Sequence, residues 1–250
     1  MLLLLKQIFE SHYLCLAANN GEQGLTIAKE QIPDLIICDV MMPKIDGFEV
    51  LQQLKTDPIT DHIPVVLLTA KGDKQSRMQG WAYKADDYIS KPFDADELIL
   101  RIDSLLCIRQ LLNRRLKNEF ALNPTEQQAV FTEPDSPEDI NMVAQKFIDN
   151  LNQVLEQHYH QDDFDVAALA DKLYMSRRQI TRKVKGVLDL TPVESIRAFR
   201  LKKAAELLLQ GIAPGDVAYS VGFSSHSYFA QCFKAQYKCK PSEYVSDYVA

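Results

Sequence analysis

The sequence predicts two domains of different class: an α/β domain built on a parallel sheet, then an all-α domain in which a helix-turn-helix pattern occurs twice. Three observations carry this. In the first half, apolar runs such as "LIIC" (35–38) and "VVLL" (65–68) alternate with amphipathic segments. The runs are continuously apolar rather than alternating, which marks strands covered on both faces. In the last third, "DVAALADKLYMSRRQITRKVKG" (165–186) and "PGDVAYSVGFSSHSYFAQCFKAQY" (214–237) repeat one apolar spacing. A chain of 250 residues, 46% apolar and 25% charged, accommodates two globular domains of about 100–200 residues each.

Each element has its own signal. "MLLLLKQIFESH" matches a helix, with apolar residues at 2, 5 and 9, and "YLCLA" (13–17) reads as a strand. "GEQGLTIAKEQ" (21–31) is a helix, "DLIICD" (34–39) a strand after Pro33, and "GFEVLQQLKT" (47–56) a helix. "PVVLLTA" (64–70) is a strand, "KQSRMQGWAY" (74–83) a helix, and "DYIS" (87–90) a short strand before Pro92. A long helix over 94–120 follows, with Asp94 as N-cap. "LNPTEQQAVFTEPDSPED" (122–139) holds three prolines and five acids without periodicity and reads as an exposed linker; a loop ordered against either domain is the alternative. The expected domains are 1–120, a linker at 121–140, and 141–250, with "DINMVAQKFIDNLNQVLEQHY" (139–159) opening the second as a helix.

In the first repeat, a short helix buries Val166, Leu169, Ala170 and Leu173, Tyr174-Met175 turns, Ser176 caps, and a second helix turns Ile180 and Val184 inward. In the second, Val217, Ala218 and Val221 point inward, Gly222 turns, Ser225 caps, and Phe229 and Phe233 face the core. "PVESIRAFRLKKAAELLLQG" (192–211) joins the two, with Pro192 at its start and Gly211 at its end. A small structural bundle would show the same spacing for one unit; two units and the charge pattern favour a DNA reader. The net charge of −6 conceals a cluster over 172–203 with ten Lys/Arg against two Asp/Glu, the footprint of a polyanion partner.

Other classes are disfavoured. The opening apolar run is far shorter than the ~20 residues of a membrane span, and a cytoplasmic location is expected. Cysteines 15, 38, 107, 232 and 239 are scattered, without C-x-x-C spacing, so neither a disulfide framework nor a zinc site is expected. His158 and His160 lie in a polar stretch that suits surface residues.

Ligands of parallel sheets sit beyond the carboxyl ends of the strands. Asp39, Thr69 and Lys91 fall there: a carboxylate, a hydroxyl and an ammonium suited to a phosphoryl group. The segments "PDLIICDVMMPKIDGFEVLQQLK", "HIPVVLLTAK" and "ADDYISKPFDADELILRI" together resemble the receiver domain of bacterial response regulators, over roughly residues 1–112. The resemblance implies a flavodoxin-like fold in which Asp39 accepts a phosphoryl group from a histidine kinase. Lys91 and Thr69 would contact phosphoryl oxygens, and Tyr88 would swing inward as the switch. It also implies Mg²⁺. Receivers hold it with an acidic pair after a first strand, and here only Glu10 precedes "YLCLA". The first strand and its acids are therefore expected to be missing, leaving Asp39 and the Met41 backbone carbonyl as a poor Mg²⁺ site and phosphate uptake weak. A second, smaller departure is Lys84 where glycine is usual. Two explanations stay open: a piece of a longer protein, such as the C-terminal part of a hybrid sensor histidine kinase, or a degenerate receiver serving as a phosphorylation-independent dimerisation module. A phosphatase using Asp39 as nucleophile would need an acid two residues on, where Met41 stands, so no enzyme activity is expected.

"RLKKAAELLLQG" followed by "DVAYSVGFSSHSYFAQCFKAQYKCKPSEY" resembles the AraC/XylS-type DNA-binding domain, over about 145–250. This implies that Arg178, Thr181 and Arg182 read bases from the first recognition helix, and His226, Ser227 and Gln231 from the second. Arg177, Lys183, Lys185, Ser225 and Lys234 would meet phosphates. Asp189 and Lys238 stand where the family commonly has glycine after each recognition helix. The expected partners are double-stranded DNA, a cognate kinase and a second copy on DNA.

Overall fold

The computed structural model describes residues 1–70, 85–121 and 138–244. The helix expected at 74–83 and most of the stretch read as a linker lie outside them. Two compact units result, Met1–Leu112 and Asn113–Ala250.

The first unit is a parallel sheet of β1 (Ile36–Asp39), β2 (Val65–Ala70) and β3 (Asp87–Lys91), in the order β1-β2-β3. Strand alternation divides its side chains between two cores. On one face Cys38, Val65 and Leu67 meet α2 (Gly21–Gln31) and α3 (Gly47–Thr56) through Leu25, Ala28, Leu51 and Leu54. On the other, Val66, Leu68 and Ile89 meet α1 (Leu2–Phe9) and α4 (Ala95–Ala121) through Phe9, Leu98 and Ile102. Leu51, Leu67, Leu68 and Leu98 are fully buried, each contributing about 1.5–3 kcal/mol. Helix starts follow their caps: Asn20 accepts from Gln23, Asp46 forms a capping box with Glu49, and Asp94 accepts from the amides of Asp96 and Glu97.

One strand is a correction. Residues 13–17 are not a strand; the segment runs as coil with Leu14 95% exposed. A strand exists only by pairing, and the sheet of the described residues consists of β1, β2 and β3, none of which pairs with this segment.

The second unit is helical: α5 (Glu138–His158), α6 (Val166–Lys172), α7 (Arg177–Leu188), α8 (Pro192–Leu209), α9 (Pro214–Ser220) and α10 (His226–Tyr237). The two helix-turn-helix units are built alike. Tyr174 (φ 55°) and Gly222 (φ 82°) make the left-handed step, and the next amide closes the turn, Met175 to the Ala170 carbonyl at 2.9 Å and Phe223 to that of Ala218 at 3.0 Å. The second turn is one residue longer, so the inward pair Ile180 and Val184 corresponds to Phe229 and Phe233, all four fully buried. Helix α8 turns buried residues toward more than one face because a unit packs on each half: Ile196 and Phe199 join the first core, Leu201, Ala204 and Leu208 the second.

Candidate functional site

Strand register brings the polar residues of the first unit to one edge. Asp39 pairs with Leu68, Thr69 with Ser90, and Ala70 with Lys91, so Asp39, Thr69 and Lys91 end their strands together at the carboxyl edge. Lys91 Nζ donates to Asp39 Oδ2 at 2.5 Å, and the Met41 amide donates to Oδ1 at 3.0 Å, so both oxygens are engaged. The pair is about a quarter exposed. Beneath it, burial first and the Asp39 charge second push the Cys38 thiol up to about 12, which leaves it protonated and unreactive at neutral pH. Thr69 is buried and lies on the same sheet face as Tyr88, two positions along in register. Tyr88 is half-buried; its hydroxyl finds no hydrogen-bond partner among the described residues, and burial raises its pKa to about 12.

Receiver domains as a class bind Mg²⁺. The described residues do not make a complete site for it. Among the described residues no group of three acidic, histidine or cysteine side chains could hold a metal, and the neighbouring Asp46 spends its carboxylate on the first amides of α3. Among the described residues, Asp39 is the carboxylate that this edge offers, with the Met41 backbone beside it.

The second unit presents the side chains named from sequence, with one correction. Arg177, Arg178, Thr181 and Lys185 on α7 are exposed and Arg182 is half-buried; Ser225, His226, Ser227, Gln231 and Lys234 around α10 are exposed. Ser225 also caps α10, accepting from the Tyr228 amide. Lys183 is not a phosphate contact in this structure. It is 1% exposed, with its ammonium 5.0 Å from the centre of the Phe147 ring on α5. The sequence contained the signal: 180, 183, 184, 187 and 188 form an i, i+3, i+4, i+7, i+8 stripe, and all five are buried. Asp189 and Lys238 both take the left-handed conformation that glycine usually supplies, at φ 50° and 64°. Two residues went unnamed. Arg197 of α8 donates to the Tyr228 hydroxyl at 3.3 Å, which raises its pKa, and both sit beside the second reader. Arg197 could have been found as a member of the basic run 172–203.

Fold and site together define a parallel-sheet unit with Asp39, Thr69 and Lys91 at its carboxyl edge and a helical unit with two helix-turn-helix motifs. Models of the response regulator receiver domain and of a helix-turn-helix domain match residues 1–103 and 169–247. Histidine kinase P4 of Formosa agariphila is 34% identical over 245 residues, 98% of this chain and 17% of that protein. "Probable transcriptional regulator ycf29" of Pyropia yezoensis is 31% identical over 167 residues, 66% of this chain and 75% of the relative. The C-terminal domain of AraT, a response regulator from Geobacillus stearothermophilus, is 28% identical and aligns over 39% of this chain and 81% of its own, with a TM-score of 0.37. The chain belongs to the response regulators, with a receiver domain followed by an AraC-type helix-turn-helix domain. It spans about a sixth of the length of the kinase it matches end to end. No helix among the described residues is long and apolar enough to cross a membrane.

Proposed function

We propose that this chain is a sequence-specific DNA-binding transcription regulator of a two-component phosphorelay. The observation that carries the reading is the pair of matched helix-turn-helix units on one shared helix, each exposing polar and basic side chains on its second helix. Arg178, Thr181 and Arg182, with His226, Ser227 and Gln231, read base edges; Arg177, Lys185, Ser225 and Lys234 hold phosphates. A second copy occupies an adjacent half-site. The test is selection of duplexes from a random pool by the full chain. Enrichment of a motif whose binding weakens steeply with salt supports the reading, and equal binding to every duplex overturns it.

Two substitutions separate the roles within α7. Arg182→Ala should cost about 1–3 kcal/mol on the selected duplex and little on random DNA. Lys183→Ala should instead lower stability by about 1–3 kcal/mol, through lost packing and the lost ring contact, and leave the salt slope of the folded protein unchanged. Titration at several salt concentrations beside a urea melt reads both.

Asp39 stands at the phosphoacceptor position, and a histidine kinase is the proposed donor. With Lys91 on one oxygen and no acidic pair among the described residues to hold Mg²⁺, uptake by this chain should be slight. Intact mass after incubation with a small phosphodonor and Mg²⁺ checks it; stoichiometric gain of one phosphoryl group would show the site competent as it stands.

One observation favours a second reading. Because the match to histidine kinase P4 runs through 98% of the chain, the same two units also serve within a kinase polypeptide. An immunoblot of the source cells with antibody against the helical unit distinguishes a band near 28.4 kDa from one several times larger.

A further inference from the structure

The last turns of α4 are not part of the first unit. From Asn113 onward they belong to the helical unit, where Leu116 and Phe120 are buried, the latter with its ring 6.5 Å from Phe199 on α8. Their polar groups meet the ends of both recognition helices. Asn113 Nδ2 donates at 2.8 Å to the carbonyl of Gly186, in the last turn of α7, and Lys117 Nζ donates at 3.3 Å to the carbonyl of Asp189, which caps it. In return Gln236 Nε2, in the last turn of α10, donates at 2.9 Å to the carbonyl of Ala121, the final residue of α4. The last carbonyls of a helix have no partner within it, so the first two bonds meet a need of α7 and the third meets the same need of α4. The Lys117 charge also lies at the negative end of α7.

We propose that residues 113–121 are a clamp that positions both recognition helices for base reading. The proposal rests on the DNA-reading function given above. A clamp of this kind fixes where α7 and α10 end without touching DNA. Loosening it degrades the fit to base edges, which needs both helices in register, more than attraction to phosphates, which does not.

The experiment uses the full chain carrying Asn113→Leu or Gln236→Leu, each of which removes a donor without changing charge. The probes are the duplex selected by the wild-type chain and a random duplex, with a melt of each variant alongside. The clamp predicts affinity for the selected duplex about tenfold lower, affinity for random duplex within twofold of wild type, and an unchanged salt slope. Unchanged discrimination in folded variants overturns it, as does equal loss on both duplexes. Should either variant melt below the assay temperature, Asn113→Ser, a milder truncation at the same place, is judged by the same ratio. If the wild-type chain selects no duplex, it is the DNA-reading function that fails.

Discussion

Gly222→Ala should cost the helical unit about 3–5 kcal/mol and abolish DNA binding at temperatures the wild type tolerates. Two effects add. The residue sits at φ +82°, where a side chain costs about 1–2 kcal/mol. A Cβ there would also lie 2.4 Å from the Tyr159 carbonyl oxygen and 3.0 Å from Arg200 Nε. Those two groups are hydrogen-bonded to each other at 2.9 Å, and Arg200 reaches on to the Gln161 carbonyl at 2.5 Å. The methyl group would have to part a charged bond worth about 1.5–3 kcal/mol. Against a domain stability of about 5–15 kcal/mol this is a large fraction. Two controls isolate the causes. Gly211→Ala, at φ +86° with nothing within 4 Å, should show the backbone cost alone. Tyr174→Gly, at the same step of the first unit with its side chain 95% exposed, should change stability by less than about 1 kcal/mol. Urea melts followed by circular dichroism give all three, and equal losses for Gly211→Ala and Gly222→Ala would mean that the Tyr159–Arg200 contact is unimportant.

These three positions show what local sequence carries and what it does not. The helices expected at 21–31 and 47–56 form over those same residues, and each starts at a local cap, Asn20 and Asp46, within three positions of the amides it satisfies. That Gly222 turns the chain is likewise local. That Tyr159 and Arg200 close over it is not, since the residues lie 63 and 22 positions away. The same holds for Asn113 with Gly186 and Gln236 with Ala121. The segment 13–17 differs for the converse reason: its apolar composition suits a strand, but pairing is a tertiary event, and among the described residues no strand pairs with it. Lys183 was an error of weighting. Its position in the stripe says inward, its charge says outward, and the fold follows the position, with the ammonium 5.0 Å from the centre of the Phe147 ring.

At the acidic edge Gly47→Ala should be the corresponding lesion. Gly47 opens α3 and lies against the backbone of the strand that ends at Asp39: a Cβ would stand 2.5 Å from the Asp39 carbonyl oxygen and 2.8 Å from the Val40 Cα. Its amide also donates to the Val40 carbonyl at 3.0 Å, so the helix cannot withdraw without losing that bond. Both obstacles are main chain, which has no rotamer to yield. Overpacking of this kind costs about 1–3 kcal/mol, and with the amide bond weakened the total should reach about 2–4 kcal/mol. The displacement falls on Asp39 itself, whose carboxylate is set by Lys91 on one oxygen and the Met41 amide on the other. Gly24→Ala is the control: within α2, with only the Ala18 methyl at 3.7 Å, it should stabilise by about 0.5–1 kcal/mol. Hydrogen exchange read by mass spectrometry localises the effect. Gly47→Ala should raise exchange across residues 34–70 and leave 165–237 at the wild-type rate. Uniform protection loss across both units would mean that the two fold as one cooperative body, and unchanged exchange at 34–70 would mean that the close approach of α3 to Asp39 does not hold in solution.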